Sequence, residues 1–264
     1  MIYVYCVAAG KPDLGHMLHP DSQGLYAIEE NGLFAIARSV SEDEFGEGYV
    51  EKNMADLGWV RAMVMEHEEV VEHVMKGNVL MPLRFGTIFE SDDSLKRALS
   101  ERHEMFSSTI EGFKEREEWG VKVYVEASKM KSTIETEDCE ITELDREIGE
   151  SSAGKAYFLR QRREDLVRKA TEAKVFQCGD ICFFLLSGES EKAKVNGLLP
   201  MKKLRTDSDI VLNAVFLVRK EEIPGFIGTV DYLQNRYGTL GFSFDCTGPW
   251  PPYNFCSAPG ESVL

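Results

Sequence analysis

Apolar and polar positions in the first half of the chain predict a mixed α+β domain. Residues 2–9 form an apolar run of strand length, and two further strand-like runs flank Asn31-Gly32, a pair typical of tight hairpins. Apolar residues at helical spacing predict one helix over about 48–76. A second helix is expected to begin at Ser91-Asp92-Asp93, which supplies N-cap side chains. We expect residues 1–118 to form this N-terminal α+β domain.

The second half of the chain has the predicted order strand, helix, strand, strand, helix, strand. The strands are predicted over residues 121–127, 198–204, 210–218 and 240–246, and the helices over 154–176 and from Pro224 onward. This βαββαβ order is typical of a ferredoxin-like sheet. We therefore expect residues 119–247 to form a C-terminal ferredoxin-like domain. Residues 248–264 follow it as an extended tail that is rich in proline and aromatic residues.

The predicted strand at 210–218 is apolar on both faces and is interrupted only by Asn213. In a ferredoxin-like sheet the helices cover one face, so the other face needs a second cover. The other domain, the tail or a partner protein could supply it, and the sequence leaves these three possibilities open. This surplus of apolar sheet surface favours protein–protein binding, including addition of a partner's strand to the sheet edge.

Composition and charge narrow the class of protein. The chain has 264 residues, of which 43% are hydrophobic and 28% charged, as in ordinary globular proteins. Thirty basic and forty-five acidic side chains give a net charge of −15, which argues against nucleic acid or a lipid membrane as a partner. No apolar run approaches the roughly 20 residues that cross a bilayer. The N-terminus lacks the basic residues of a signal peptide, so we expect a cytoplasmic protein with reduced cysteines.

Residues 133–150 stand out as the most acidic segment of the chain. They contain eight acidic side chains and a single basic one, Arg146. Their apolar residues show no consistent period, so we interpret the segment as an exposed, partly mobile connection within or beside the second domain.

One segment resembles a phosphate-binding loop. Gly149-Glu-Ser-Ser-Ala-Gly154-Lys155 matches the pattern G-x-x-x-x-G-K, but Ala156 replaces the hydroxyl residue that ligates Mg²⁺. Such a loop follows a buried strand, whereas the residues before Gly149 are polar and acidic. The sequence therefore favours an ordinary helix start here, with a nucleotide-binding enzyme as the alternative.

The remaining candidates for chemistry favour structural roles. His67 and His73 are six residues apart, whereas two histidines on one helix share a metal at a spacing of four. We interpret His67 as a hydrogen-bonded core histidine. Cys178 and Cys182 have one residue too many between them for a redox C-x-x-C motif, and we interpret both as small buried side chains. We predict no catalytic, cofactor or metal site.

Five residues are the candidates for binding a partner protein. Arg84 and Phe85 lie in an otherwise apolar stretch, where a guanidinium needs a carboxylate or several carbonyls, so Arg84 is either a structural pair or a docking point. Trp250, Tyr253 and Phe255 lie among three prolines that hold the backbone extended. These rings either fold back over the chain's own sheet or anchor a partner.

Six motifs occur together and in a fixed order along the chain. They are Tyr3-Val-Tyr, Pro82-x-Arg-Phe-Gly-Thr87, Glu118-Trp-Gly-Val-Lys-Val123, Gly154-Lys-Ala-Tyr157, Val211-Leu-Asn-Ala-Val-Phe-Leu-Val218 and Gly248-Pro-Trp-Pro-Pro-Tyr-x-Phe255. With them the chain resembles, from end to end, the GvpF/GvpL family of gas vesicle accessory proteins. One departure is Asn254, where a serine is frequent in the family.

The resemblance implies a non-enzymatic accessory or minor structural protein that takes part in gas vesicle assembly or nucleation. Its implied partners are the small hydrophobic shell protein and other gas vesicle accessory proteins, and its implied location is the gas vesicle or the cytoplasm. The resemblance brings no catalytic residue and no cofactor. Two alternatives stay open: a nucleotide-binding enzyme that uses the Gly149–Lys155 loop, and a regulatory module with a ligand pocket between the domains.

Overall fold

The chain divides into two compact units, each with its own sheet. The computed structural model describes residues 1–15, 24–46, 48–197 and 209–256. The first unit comprises residues 1–117 and the tail from Pro249 onward, and the second comprises residues 118–248. The structure as a whole is mixed α+β, as the sequence predicts.

The sheet of the first unit is built around a central N-terminal strand. Its strands are β1 (Ile2–Ala8), β2 (Leu25–Glu30), β3 (Leu33–Ser39), β4 (Leu80–Pro82) and β5 (Ile88–Phe89). They lie in the order β2-β3-β1-β4, and β5 also pairs with β1. The hairpin between β2 and β3 turns at Asn31 and Gly32, whose φ angles of 53° and 80° are both positive. This confirms the predicted hairpin, since a two-residue turn of this kind needs positive φ at both positions.

The described residues of the first unit form five α-helices. They are α1 (Glu42–Phe45), α2 (Val50–Met54), α3 (Leu57–Met75), α4 (Asp92–Glu101) and α5 (His103–Glu111). The helix predicted over 48–76 is divided into α2 and α3, because the Asp56 side chain accepts hydrogen bonds from the backbone N–H groups of Gly58 and Trp59 and so starts a new helix. The predicted N-cap Ser91 is confirmed, since its hydroxyl accepts the backbone N–H of Ser94.

The strand β1 is buried along its whole length because helices cover both faces of this sheet. Ile2, Val4 and Val7 pack in the cluster that contains side chains of α4 and α5. Tyr3 and Tyr5 pack on the other face, in the cluster that contains α3. The pairing of β1 with β3 shifts register between Val4 and Cys6, which marks a bulge at Tyr5. Ordinary alternation along the strand already places Tyr5 on the same face as Tyr3. The bulge brings the next residue, Cys6, into the same α3 cluster.

The second unit has a four-stranded sheet and longer helices. Its elements, some of which reach across the unit boundary, are β6 (Arg116–Val125), α6 (Ala127–Glu137), α7 (Cys139–Glu150), α8 (Ala153–Gly188), β7 (Lys192–Val195), β8 (Asp209–Arg219), α9 (Ile223–Tyr237) and β9 (Phe242–Trp250). The strands lie in the order β7-β8-β6-β9. Pro224 lies in the first turn of α9, as predicted. The strand predicted over 198–204 lies outside the described residues.

The acidic segment 133–150 is helical, although its apolar residues show no consistent period in the sequence. It forms the end of α6 and all of α7, with Ile141 and Leu144 buried. Arg163 on α8 binds Asp145 at 2.6 Å and Glu135 at 3.1 Å. Acidic side chains of the segment thus pair with a cation 18 to 28 residues away in sequence, alongside the burial of Ile141 and Leu144.

Both faces of β8 are covered within the single chain. Phe216 packs in the core of the second unit with side chains of α8 and α9. On the alternate positions, Val215 is 6% exposed and Leu217 is 1% exposed. The sequence argument for partner binding relied on an uncovered apolar face at this strand. That face is not exposed, so any partner must use another surface.

Candidate partner-binding site

A group of buried polar side chains lies where β1 meets α3. The Tyr3 hydroxyl donates a hydrogen bond to His67 Nδ1 at 2.7 Å, and His67 Nε2 donates to the Leu83 carbonyl at 3.2 Å. The Tyr5 hydroxyl donates to the Glu66 carboxylate. Each of these four side chains therefore has a partner, as buried polar groups require. We call Tyr3, Tyr5, Glu66 and His67 the polar cluster.

His67 is uncharged at neutral pH. Burial lowers its pKa to about 4, against the smaller opposing effect of the Leu83 carbonyl. The two hydrogen bonds also fix the tautomer, because a carbonyl can only accept and Nε2 must therefore carry the proton. His67 is the core histidine that the sequence predicts, and its arrangement is structural.

Arg38 is a largely buried cation of the first unit, with 11% of its side chain exposed, and the sequence did not single it out. Its Nε lies 3.0 Å from Glu66 Oε1 and 3.0 Å from the Tyr5 hydroxyl, and its Nη1 lies 3.3 Å from Glu44 Oε1. Arg38 stands in the apolar strand β3, so the signal that drew attention to Arg84 was also present at Arg38. Its carboxylate partners lie 6 and 28 residues further along the chain, and a local pattern does not reveal them.

Arg84 is exposed, so the expectation of a cation inside an apolar strand is wrong for this residue. The strand β4 ends at Pro82, and Arg84 lies in the turn that leads to β5. The Thr87 side chain and backbone N–H bind the Arg84 carbonyl at 2.7 and 3.1 Å and hold the turn. The guanidinium therefore faces solvent, where a partner can reach it.

The tail packs partly against the first unit. Pro251 and Pro252 are buried, and the ring of Tyr253 lies 6.2 Å from the ring of His67. The Tyr253 hydroxyl is buried beside the Glu68 carboxylate. Burial, together with the nearby Glu68 carboxylate, raises the pKa of Tyr253. Tyr253 is therefore an un-ionised packing residue.

The five candidate residues separate into two kinds. Phe85 and Tyr253 meet at His67, at ring distances of 6.1 and 6.2 Å, so these two complete the packing around the polar cluster. Phe255 is half-buried in a short turn. Trp250 remains 43% exposed, and Arg84 is exposed. Arg84 and Trp250 are thus the two candidates whose residues remain exposed.

The motif that resembles a phosphate-binding loop lacks the required structural context. Helix α7 precedes it and α8 begins within it, whereas a phosphate loop joins a strand to a helix. The Lys155 ammonium lies 2.8 Å from Glu147 and is paired with that carboxylate. This geometry favours an ordinary helix–helix connection stabilised by an ion pair.

Other candidates for chemistry are structural as well. Cys178 and Cys182 are buried, as the sequence predicts, and both lie inside α8, where burial raises the pKa of the Cys182 thiol to about 12. No cluster of metal-ligating side chains occurs in the residues that the structure describes. Across the same residues, no helix is long and apolar enough to span a membrane.

A groove of about 590 Å³ lies between α6 and α8 in the second unit. Its lining includes positively and negatively charged side chains, among them Lys131, Glu135, Arg163 and Arg168. Arg163 and Arg168 are already paired with neighbouring carboxylates, Arg168 with Asp165 at 3.1 Å. These carboxylates offset the positive charge of the groove. The regulatory-module alternative requires a pocket between the domains, whereas this groove lies within the second unit.

These features define a two-sheet α+β protein whose buried polar groups serve packing and whose exposed groups suit protein binding. A family profile described as "Gas vesicle synthesis protein GvpL/GvpF" matches residues 1–257, and the chain belongs to this family. The match covers the length on which the sequence motifs occur, so the resemblance found in the sequence is confirmed.

Relatives and solved structures agree with this assignment. Gas vesicle protein L of a Streptomyces species (strain CB03234) is 26% identical over 239 residues, covering 89% of this chain and 84% of the relative. Gas vesicle protein L1 of Halobacterium salinarum is 24% identical over 275 residues, covering 98% and 91%. The crystal structure of GvpF from Anabaena sp. PCC7120 has a TM-score of 0.69 at 17% identity, covering 97% of this chain and 98% of that one. GvpF from Microcystis aeruginosa gives a TM-score of 0.66 at 16% identity, covering 97% and 99%.

Proposed function

We propose that this chain is a non-enzymatic accessory protein of gas vesicles, which binds the small hydrophobic shell protein and other accessory proteins during assembly or nucleation. The observation that carries the proposal is the family match over residues 1–257. The site geometry supports it, because the buried titratable groups are engaged in packing while an exposed tryptophan and an exposed arginine remain on the surface.

We infer that Trp250 and Arg84 contact the partner directly. A tryptophan that is only partly covered in the free protein gains buried area on binding, and exposed tryptophan and arginine are the residue types most often found at the energetic centre of interfaces. Phe85 and Tyr253 act indirectly by holding the turn and the tail on His67. Phe255 completes the tail as a packing residue.

The physical task of such a protein is to keep an apolar subunit soluble until it joins the shell. A net charge of −15 favours solubility of the complex. We propose that the protein works in the cytoplasm and at the gas vesicle, without a cofactor and without nucleic acid or lipid as partner.

Co-expression with the shell protein from the same organism tests the proposal. We expect soluble shell protein to co-purify with the affinity-tagged wild-type chain. Trp250→Ala and Arg84→Ala should each reduce the recovered shell protein about fivefold or more, as expected for interface residues worth roughly 1 kcal/mol or more. Tyr232→Ala is the matched control, since Tyr232 is an exposed aromatic residue on α9 and its loss should leave recovery unchanged. Shell protein that stays insoluble and unbound with the wild-type chain contradicts the proposal.

We also propose that the two units correspond to functional domains over about 1–118 and 119–247, followed by the tail from 248, with the second domain ferredoxin-like. The support is the chain order of its strands and helices, in which α6–α8 replace the first crossover helix. The strand order β7-β8-β6-β9 places the first and third strands of the unit side by side at the centre. That order is the one expected of a split βαβ sheet.

A further inference from the structure

The outer face of α3 carries large apolar side chains that are exposed in the described part of the structure. Leu57 is 82% exposed and Met65 is 58% exposed, with Val64 also exposed on the same helix. One side of the helix carries residues 57, 61, 64, 65 and 68. Each of them lies three or four positions from another member of the set, and residues at these intervals are neighbours on a helix surface. Met54, at the end of α2, is exposed just before this helix begins. A single exposed leucine needs no explanation, but several large apolar side chains on one helix face mark a binding surface.

The next part of the same helix is acidic. Glu68, Glu69 and Glu72 follow the apolar residues, and Arg61 is the only lysine or arginine within α3. Residues 1–118 hold 23 acidic against 11 basic side chains, a net charge of −12. The partner that fits this face therefore brings apolar side chains for one part and positive charge for the other.

We propose that the outer face of α3, defined by Met54, Leu57, Val64 and Met65 and the acidic residues that follow them, docks an amphipathic helix with a basic flank. An amphipathic helix presents an apolar stripe that matches the length of Leu57–Met65. Two of the four apolar residues are methionines, whose unbranched side chains adapt to different partner surfaces. The proposal rests on the proposed function, because it gives the chemistry of one partner of an assembly factor.

The charge pattern distinguishes this face from another exposed apolar patch. Phe184 on α8 is 75% exposed, with Ile181 and Leu185 beside it on the same helix. No run of acidic side chains adjoins that patch in the sequence, where only Asp180 and Glu189 flank it. It therefore provides a matched control of similar apolar exposure and a different electrostatic setting.

Fluorescence anisotropy with synthetic peptides tests the proposal on the full-length chain. The probe is a fluorescein-labelled 18-residue amphipathic helix of leucine and lysine, and the comparison peptide replaces every lysine by glutamate. We expect the leucine–lysine peptide to bind and the leucine–glutamate peptide not to bind. The double variant L57S/M65S should raise the Kd of the leucine–lysine peptide about tenfold, because it removes apolar contact area. F184S should change the Kd less than twofold. Leu57→Lys is the second variant, because a cation at so exposed a position repels the peptide without touching the core.

Two double variants test how much the acidic side chains contribute to binding of the peptide. Glu69→Gln with Glu72→Gln should raise the Kd about threefold and weaken its salt dependence. Glu137→Gln with Glu150→Gln removes the same net charge from exposed positions on α6 and α7 and should have little effect. The proposal is overturned if both peptides bind equally or if the wild-type chain binds neither. It is also overturned if L57S/M65S leaves the Kd unchanged or if F184S weakens binding equally. The peptide assay contains no shell protein or other accessory protein. The peptide can therefore fail to bind while shell protein still co-purifies, and it can bind when shell protein does not co-purify.

Discussion

Individual residues in the first unit are charged or neutral according to how their buried neighbours are arranged. Arg38 keeps its charge inside a strand because Glu66 and Glu44 lie at ion-pair distance. His67, one residue beyond Glu66, is surrounded by rings and is held neutral between Tyr3 and a carbonyl. Breaking a buried ion pair from one side costs far more than the pair contributes, so this group fixes how β1, β3 and α3 pack together.

The depressed pKa of His67 predicts a pH dependence of stability. The unfolded imidazole takes up a proton below its ordinary pKa of 6.5, whereas the folded one does so only near pH 4. The unfolded state therefore binds more protons in this window, and the free energy of unfolding falls as the pH falls through it. Between pH 7 and pH 5 the loss should be about 2 kcal/mol relative to His67→Gln, measured by urea unfolding. His73→Gln keeps His67 and should follow the wild-type profile. Parallel profiles for the wild type and His67→Gln contradict the prediction.

At the scale of elements, local signals in the sequence were sufficient where a local interaction decides the structure. Asn31-Gly32 specified a hairpin because few other residues accept positive φ there. Ser91 specified a helix start and Pro224 a first helical turn, since each acts within its own few residues. The helix predicted from Pro224 onward is α9, and it buries Phe226, Val230, Leu233 and Tyr237 on one side.

Elements and site residues that depend on distant partners were not predictable in this way. The segment 133–150 is acidic, and its helices are stabilised by cations on α8 that the local pattern does not include. Arg84 and Arg38 both stand in apolar surroundings in the sequence, and only the folded chain shows which of them is buried. For the same reason Tyr253 was predictable as a packing aromatic, but its position on His67 was not.

The end of β9 depends on a glycine that has no room for a side chain. Gly248 has a φ of 150°, and an added Cβ would lie 2.9 Å from the indole of Trp119 and 3.0 Å from the Glu118 carbonyl oxygen. Gly248→Ala should therefore lower the free energy of unfolding by about 3 kcal/mol, through backbone strain and crowding together. Gly32→Ala is the control, because Gly32 has positive φ with open space around it and should lose only about 1 kcal/mol. Similar losses for the two variants, measured by chemical denaturation, contradict the crowding argument.

At the scale of the whole molecule, the chain leaves the first unit after residue 117 and returns to it at Pro249. The charge follows this division, because residues 1–117 and 249–264 carry 23 acidic and 11 basic side chains, a net −12, whereas residues 118–248 carry 22 acidic and 19 basic side chains, a net −3. The acidic unit therefore contains the tail, the polar cluster and the outer face of α3. The surfaces proposed for partner binding all belong to this unit.

The return of the tail predicts which part of the molecule depends on it. A chain that ends at Gly248 loses the buried Pro251 and Pro252, the Tyr253 ring on His67, and Cys256, which packs against the α4–α5 core cluster. Removal of this much apolar contact should cost the first unit about 3 kcal/mol, whereas the second unit keeps all of residues 118–248. Hydrogen exchange followed by mass spectrometry should show amides of β1 and α3 exchanging at least tenfold faster, with β8 and α9 unchanged. Tyr253→Ala should reproduce a smaller part of the effect at α3, and Tyr232→Ala should reproduce none of it. Acceleration that is equal in both units, or absent from both, means that the tail does not stabilise the first unit in the way its contacts imply.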